Sequence, residues 1–210
     1  LRVVYARVLI DLQQQAKALE QVLAATQQKP ALNEAWFIQA ALQFDGGQLD
    51  AAEASLQQYI ARTKADATAA KDSAALTRAY LLSAQIAEKR GDFAASEGWL
   101  NRVDNPPDVF NAQMRRGALL ARRGEMPRAR ALLRNLQATT EEEQRMKLVA
   151  EAQVLREAGQ YQEALSVQTQ AVEQFPDSSD LLYEQAMLAD KAGQPVLMEQ
   201  LLRKLIAREP

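Results

Sequence analysis

The 210-residue sequence contains neither cysteine nor histidine. That removes thiolate nucleophiles, disulfides, zinc sites built from thiolate or imidazole, and any Ser-His-Asp triad from the chemistry open to it. Carboxylate pairs such as Asp45/Asp50 and Glu184/Asp190 lie on segments with helical apolar spacing, where acids usually serve as solvent contacts or caps. Gly46-Gly47 lacks the Lys and Ser/Thr that would follow in a phosphate-cradling loop. Catalysis, a metal centre and a bound cofactor are therefore not expected of these residues. One charged feature remains. Arg115, Arg116, Arg122, Arg123, Arg128, Arg130 and Arg134 are opposed within their own stretch by Glu125 alone. Such a cluster could hold an acidic peptide, a phosphate or nucleic acid, with the first four arginines as the anionic-partner patch. The favoured reading is a solvated face whose Arg stems cover apolar surface and whose heads pair with acids such as Glu141–Glu143. No aromatic side chain interleaves with the arginines as a stacking platform would require.

The elements that carry these residues are helices. Ala, Leu, Gln, Glu and Arg dominate, all strong helix formers, while aromatic residues are 6% of the chain. Hydrophobic residues at 48% and charged residues at 25% suit a folded chain. A formal charge of −2 favours neither nucleic acid nor a membrane surface as the main partner. The apolar stretch Leu1–Leu12 is broken by Arg2, Arg7 and Asp11, so it does not read as a membrane span. No signal peptide is visible, and a cysteine-free chain suits cytoplasm or periplasm alike.

A period runs through the helices. Gly47, Gly91, Gly124, Gly159 and Gly193 are 44, 33, 35 and 34 residues apart. Two residues after each comes Leu49, Phe93, Met126, Tyr161 or Pro195, and five after comes Ala52, Ser96, Ala129, Ala164 or Met198. Seven before each lies a small residue, Ala40, Ala84, Gly117, Ala152 or Ala186. Nine after lies Leu56, Leu100, Leu133, Gln168 or Leu202. The glycines read as left-handed helix ends, the small residues as crossings of two antiparallel helices, and the larger ones as plugs. Apolar spacing at i, i+3, i+4 and i+7, as in Leu148–Leu155 and Leu181–Leu188, gives the flanking helices a buried stripe.

Gly159-Gln160-Tyr161-Gln162-Glu163-Ala164-Leu165, followed by Ala171 and Pro176, resembles the second half of a tetratricopeptide repeat. Trp36, eleven residues before Gly47, matches that family's early Trp, and Pro176 and Pro210 match its closing Pro. The resemblance extends over essentially the whole chain and implies an all-α solenoid of helix–turn–helix repeats wound into a right-handed superhelix. Carried backwards, the register gives one further unit, with Ala6, Ala18, Ala25 and Pro30 in place and Gln13 where the Gly belongs. Six units follow, spanning 1–32, 33–76, 77–109, 110–144, 145–178 and 179–210, in a single domain. The second carries about ten surplus residues near Ala61–Ala75, expected to lengthen a helix or add a short helical excursion. Thr140-Glu141-Glu142-Glu143 and Asp177-Ser178-Ser179-Asp180 read as helix starts, and Asn105-Pro106-Pro107-Asp108 as a helix break.

The chain begins inside a helix and ends on a repeat-closing Pro, so it is expected to be excised from a longer, bacterial repeat array. Met198 and Leu205, large where the family has small residues, are expected to leave an apolar face on the last helix. Uncapped ends of this kind invite self-association.

What the resemblance implies about function is a concave groove lined by the first helix of each unit, taking a peptide or a segment of a partner protein. The groove stripe is Phe37, Ala41 and Phe44, then Leu81, Gln85 and Glu88, then Met114, Ala118 and Ala121. It continues as Val149, Gln153 and Arg156, then Tyr183, Met187 and Asp190. Each stripe starts with an apolar or aromatic residue, and those of the third, fifth and sixth units turn polar along the helix, as expected of a groove that takes a helix or an extended peptide. Phe37 and Phe44 are candidate anchors, with burial under the long second unit as the competing reading. The Lys/Asn/Lys/Arg clamp of one subfamily for chaperone tails is not matched. Phe37, Ala41, Leu82, Asn111 and Arg115 stand at the corresponding places. An arm of a larger envelope-assembly factor or enzyme is the alternative, and anion or nucleic-acid binding by the fourth unit a weaker one.

Overall fold

The computed structural model describes residues 1–66 and 73–208, which contain twelve α-helices and no strand. In chain order these are α1 (Arg2–Asp11), α2 (Gln15–Gln28), α3 (Asn33–Asp45), α4 (Leu49–Ala65), α5 (Ser73–Lys89) and α6 (Phe93–Leu100). They continue as α7 (Pro106–Arg122), α8 (Met126–Asn135), α9 (Glu141–Glu157), α10 (Tyr161–Gln174), α11 (Ser179–Lys191) and α12 (Pro195–Arg208). The chain falls into two compact units, Leu1–Ala112 and Gln113–Pro210. Unit 1 packs α1 on α2, α3 on α4 and α5 on α6, with further contacts from α2 to α3 and from α4 to α5. Unit 2 packs α9 on α10 and α11 on α12, with α8 against α9 and α10 against α11. Consecutive helices thus meet as hairpins, as the repeat register requires.

One backbone motif ends the first helix of every pair. Gly47, Gly91, Gly124, Gly159 and Gly193 have φ between 71 and 79°, the left-handed region that a residue without a Cβ enters at no steric cost. In each case the next amide donates to the carbonyl five residues back, as from Gln48 to Gln43 at 2.8 Å and from Gln160 to Leu155 at 2.9 Å. Gln13, φ 58°, adopts the same conformation and carries the same pair of bonds, Gln13 to Ile10 and Gln14 to Leu9, both 2.8 Å. The sixth turn therefore keeps the backbone of the other five and bears the strain of a side chain.

The small-residue columns lie where helices cross. Ala40, Ala84 and Ala186 are fully buried, as are Ala52, Ser96, Ala129 and Ala164 in the second helices. At Gly117 a Cβ would stand 2.7 Å from Leu133 Cδ2, so α7 and α8 approach as closely as they do only because that position is Gly. Leu56, Leu100 and Leu133 fill the adjoining layer at 1% exposure or less; full burial of such a side chain contributes about 1.5–3 kcal/mol. Leu49, Phe93, Met126 and Tyr161 are half-buried at the starts of their helices, whereas Pro195 is exposed.

Helix starts use the caps that the sequence offers. Thr140 Oγ1 accepts from the Glu143 amide at 3.1 Å, and the Glu143 carboxylate accepts in return from the Thr140 amide, forming a capping box. Ser178 caps α11 and Asp92 caps α6, the latter accepting from the Ala95 amide at 2.9 Å. The surplus in the second pair lengthens α4 to 17 residues. Its last turn is put to use: Thr63 is fully buried and accepts from Asn33 Nδ2 at 2.7 Å, and Arg62 lies 5.5 Å over the Trp36 ring. Residues 67–72, and the closing Pro210, lie outside the described residues.

At the last helix the apolar face differs from the expected one. Met198 is half-buried against the unit 2 core, and Leu205 is half-buried too. The exposed apolar side chains are Val196 at 68% and Ile206 at 67%. Met198 is long and flexible enough to fold back onto Leu-rich packing, so its size does not leave it in solvent.

Candidate functional site

The first helices of unit 1 bring their predicted stripes together. Phe37 and Phe44 on α3 are both half-buried, with Ala41 between them, and Leu81, Gln85 and Glu88 on α5 are half-buried alongside. Neither aromatic ring is bare. Phe37 stands 5.3 Å from the ring of Tyr59 on α4, and the Arg78 guanidinium lies 4.9 Å over its face. The Lys89 ammonium lies 4.6 Å over Phe44. Cations held over ring faces are attracted by the ring quadrupole, more strongly the less water surrounds them. Below Phe37 sits Glu34, which pairs with Arg7 of α1 at 3.1 Å and with Arg78 at 3.8 Å. Glu88 accepts a hydrogen bond from Ser96 at 3.0 Å.

Behind this face, a buried polar chain fixes how α2, α3 and α4 meet. Thr26 donates to Gln39 Oε1 at 2.8 Å, Gln39 Nε2 donates to Ser55 at 2.9 Å, and Ser55 donates to Gln43 Oε1 at 2.7 Å. All four residues are buried. A slide of α3 along α4 would break these bonds in the dry interior, so the stripe on the opposite side of α3 is held in register.

In unit 2 the stripe of α9 lines a cavity of about 230 Å³. Val149, Gln153 and Arg156 form one wall with Arg145 and Ala152; Asp180, Leu181, Glu184 and Leu188 of α11 form the other, with Gln168 of α10 at its floor. The floor is fixed by the Gln168 amide, which donates to the Leu181 carbonyl at 2.8 Å. Arg156 bridges the walls to Glu184 at 2.8 Å and also donates to Gln153. Val149 at 40% and Tyr183 at 48% are exposed, and Met187 is half-buried. Tyr183 and Met187 are not among the cavity's lining residues; the α11 wall is built one position to the side of the predicted stripe. On α7, Met114 and Ala121 are half-buried and Ala118 is exposed.

The arginines of α7 and α8 are engaged. Arg123 pairs with Glu125 at 2.8 Å, Arg128 pairs with the same carboxylate, and Arg116 donates to Gln113 at 2.9 Å. Arg115 and Arg122 also carry contacts. Arg130 and Arg134 converge on Glu151, a carboxylate with 6% of its side chain exposed, at 3.4 and 2.7 Å. Their acid is thus on the buried side of α9, and Glu141–Glu143 lie at its start, with Glu143 committed to the capping box. Helical geometry explains the choice, because Glu151 sits at the height where α8 crosses α9.

Sequence reasoning passed over Glu34, Arg78 and Lys89 in unit 1 and Arg145, Asp180 and Glu184 in unit 2. A signal existed for some of them: Glu34 and Arg78 stand three residues before Phe37 and Leu81, one step further along the same stripe. Among the described residues no group of His, Cys, Asp or Glu could hold a metal ion, and no helix is long and apolar enough to cross a membrane.

Comparison with known proteins finds tetratricopeptide-repeat relatives. A tetratricopeptide-repeat family model matches residues 149–210. A tetratricopeptide-repeat-containing protein of Pseudomonas aeruginosa is 29% identical over 126 residues, which are 60% of this chain and 21% of that protein. The matched segment therefore spans about a fifth of the length of this curated relative. Among solved structures, the C-terminal part of a repeat protein of the same type from Cytophaga hutchinsonii is similar with a TM-score of 0.75. It is 16% identical, over 98% of this chain and 78% of that one. YrrB, described as a tetratricopeptide-repeat protein with an unusual peptide-binding site, is similar with a TM-score of 0.54. It is also 16% identical, over 90% of this chain and 92% of that one.

Proposed function

We propose that the chain is a tetratricopeptide-repeat protein acting as a non-catalytic scaffold that binds extended peptide segments of partner proteins on the faces of its first helices. The observation that carries this reading is the cavity between α9 and α11. Three residues of the predicted stripe, Val149, Gln153 and Arg156, line it together with the facing wall of α11. Its character suits a peptide: an apolar base of Val149, Ala152, Leu181 and Leu188 is rimmed by amides and by charges of both signs. Amide side chains such as Gln153 offer donor and acceptor together, which is what an extended backbone asks of its host. The peptide-binding site named for YrrB is compatible with this use of the fold. The arginines of α7 and α8 do not favour an anion site, because their heads are occupied within the protein.

Photo-crosslinking tests the reading. A benzophenone side chain would replace Ala41 or Val149 on the first-helix faces, and Gln57 or Ser166, both exposed, on second helices. Partner adducts are expected from the first two positions. Adducts confined to the second two would place binding on the other face and defeat the proposal.

A further inference from the structure

The geometry points to a defined ligand for the unit 1 face: an extended peptide carrying two carboxylates four residues apart, with an apolar side chain midway between them. This rests on the first-helix reading above and adds the chemistry of the ligand.

Two cations mark the ends of the site. Arg78 and Lys89 lie over Phe37 and Phe44 at 4.9 and 4.6 Å. A cation over an aromatic face spends one side of itself on the ring and keeps its remaining N–H donors for an acceptor on the solvent side. Arg78, half exposed, donates to the Tyr59 hydroxyl at 3.5 Å and shares the Glu34 carboxylate, at 3.8 Å, with Arg7, which holds it more closely at 3.1 Å, so two cations stand against that one acid. Among the described residues no acid lies within ion-pair distance of Lys89, and its neighbour Glu88 takes a hydrogen bond from Ser96. Arg7, Arg78 and Lys89 therefore stand against Glu34 and Glu88, leaving the face cationic on a chain whose total charge is −2.

The spacing selects the ligand. Eleven residues along α5 separate Arg78 from Lys89, which is about 16 Å at the helical rise. In an extended peptide, side chains on one side recur every second residue, and four residues span about 13 Å. The remaining few ångströms lie within the reach of the Arg and Lys stems. Between the two cations the floor is Ala41 and Leu81, both half-buried and apolar, so the side chain midway between the carboxylates should be apolar as well. Gln85, on the same stripe, can hydrogen-bond the peptide backbone passing over it.

The test is fluorescence anisotropy with a blocked, fluorescein-labelled peptide, Ser-Asp-Ser-Leu-Ser-Asp-Ser, and its twin with Asn for both Asp. The Asp peptide should bind at least tenfold more tightly than the Asn peptide, and less tightly as salt is raised. Arg78→Gln and Lys89→Gln should each weaken the Asp peptide severalfold and together erase the preference. Arg203→Gln, on exposed α12, should leave it unchanged, and thermal melts of all variants should match the parent. Equal affinity for the two peptides, no binding of the Asp peptide, or a preference surviving the double substitution would overturn the assignment. If the Asn peptide still perturbs amide resonances on α3 and α5, only the ligand chemistry falls. If every perturbation lies on second helices, the first-helix reading falls with it.

Discussion

The first-helix faces of the two units share a register and differ in filling. At the position three residues before the left-handed turn, α3 carries Phe44 and α9 carries Arg156. In unit 1 the aromatic is met by a cation from α5, which lies over the face of its ring. In unit 2 the arginine reaches across to Glu184 and leaves a cavity of about 230 Å³ under the pair. The interior repeats the contrast. Unit 1 fixes α3 through a chain of neutral amides and hydroxyls, whereas unit 2 buries the Glu151 carboxylate against two arginines. The lesson is that backbone register and surface chemistry vary separately in this fold, because one set of columns packs the helices and another lines the faces of the first helices.

The comparison can be broken most forcefully in the cores. Leu56→Ala in unit 1 and Leu155→Ala in unit 2 each delete a side chain exposed by 1% or less. Each should cost about 2–5 kcal/mol. Hydrogen exchange should show the lost protection concentrated in the unit that carries the substitution; uniform loss across both would mean that they do not behave as separate packing units. Helix crossings come next. Gly117→Leu must displace Leu133, whose side chain would stand 2.7 Å from the first added atom, and Ala164→Leu intrudes on a fully buried position. About 1–3 kcal/mol is expected for each, with Gly117→Leu the more costly, and unchanged thermal melts would contradict the crossing geometry.

Polar interiors give a smaller contrast. Ser55→Ala leaves the Gln39 amide without its acceptor and Gln43 Oε1 without its donor, an expected loss of about 1–3 kcal/mol by denaturant titration. Thr169→Val in unit 2 removes the bond accepted from Gln185 and the one donated to the Leu165 carbonyl of its own helix, at a half-buried site, and should cost less. Equal losses would remove the distinction drawn between the two interiors. Smallest is the turn series. Gln13→Gly relieves a left-handed side chain and should stabilise by about 0.5–1 kcal/mol, while Gly159→Ala imposes one and should destabilise by about 1 kcal/mol. A destabilised Gln13→Gly would mean that its side chain contributes more than its strain costs.

Why the fold could be read from the sequence and the site only in part follows from the same separation. Ala40, Ala84, Gly117, Ala152 and Ala186 are forced to be small by helix approach, and the five glycines by positive φ, so these constraints leave marks in the sequence. Gln13 shows that even an absent glycine can be inferred once its neighbours fix the register. The stripe Phe37, Ala41, Phe44 was legible as a face, but the cations over its rings were not. Arg78 and Lys89 come from another helix, 41 and 45 residues away, and no local pattern encodes that pairing. For Glu151 the difficulty was the opposite: it looks like an ordinary helix-surface acid, and only the crossing of α8 makes it a buried partner.

The most direct test of the account is to select peptides from a displayed random library on the chain and map the tightest binder by amide chemical-shift perturbation. The account predicts perturbations along Phe37–Phe44 and Leu81–Lys89, or along Val149–Arg156 and Asp180–Leu188. Perturbations confined to α2, α4, α6, α10 and α12, with the first helices silent, would contradict it.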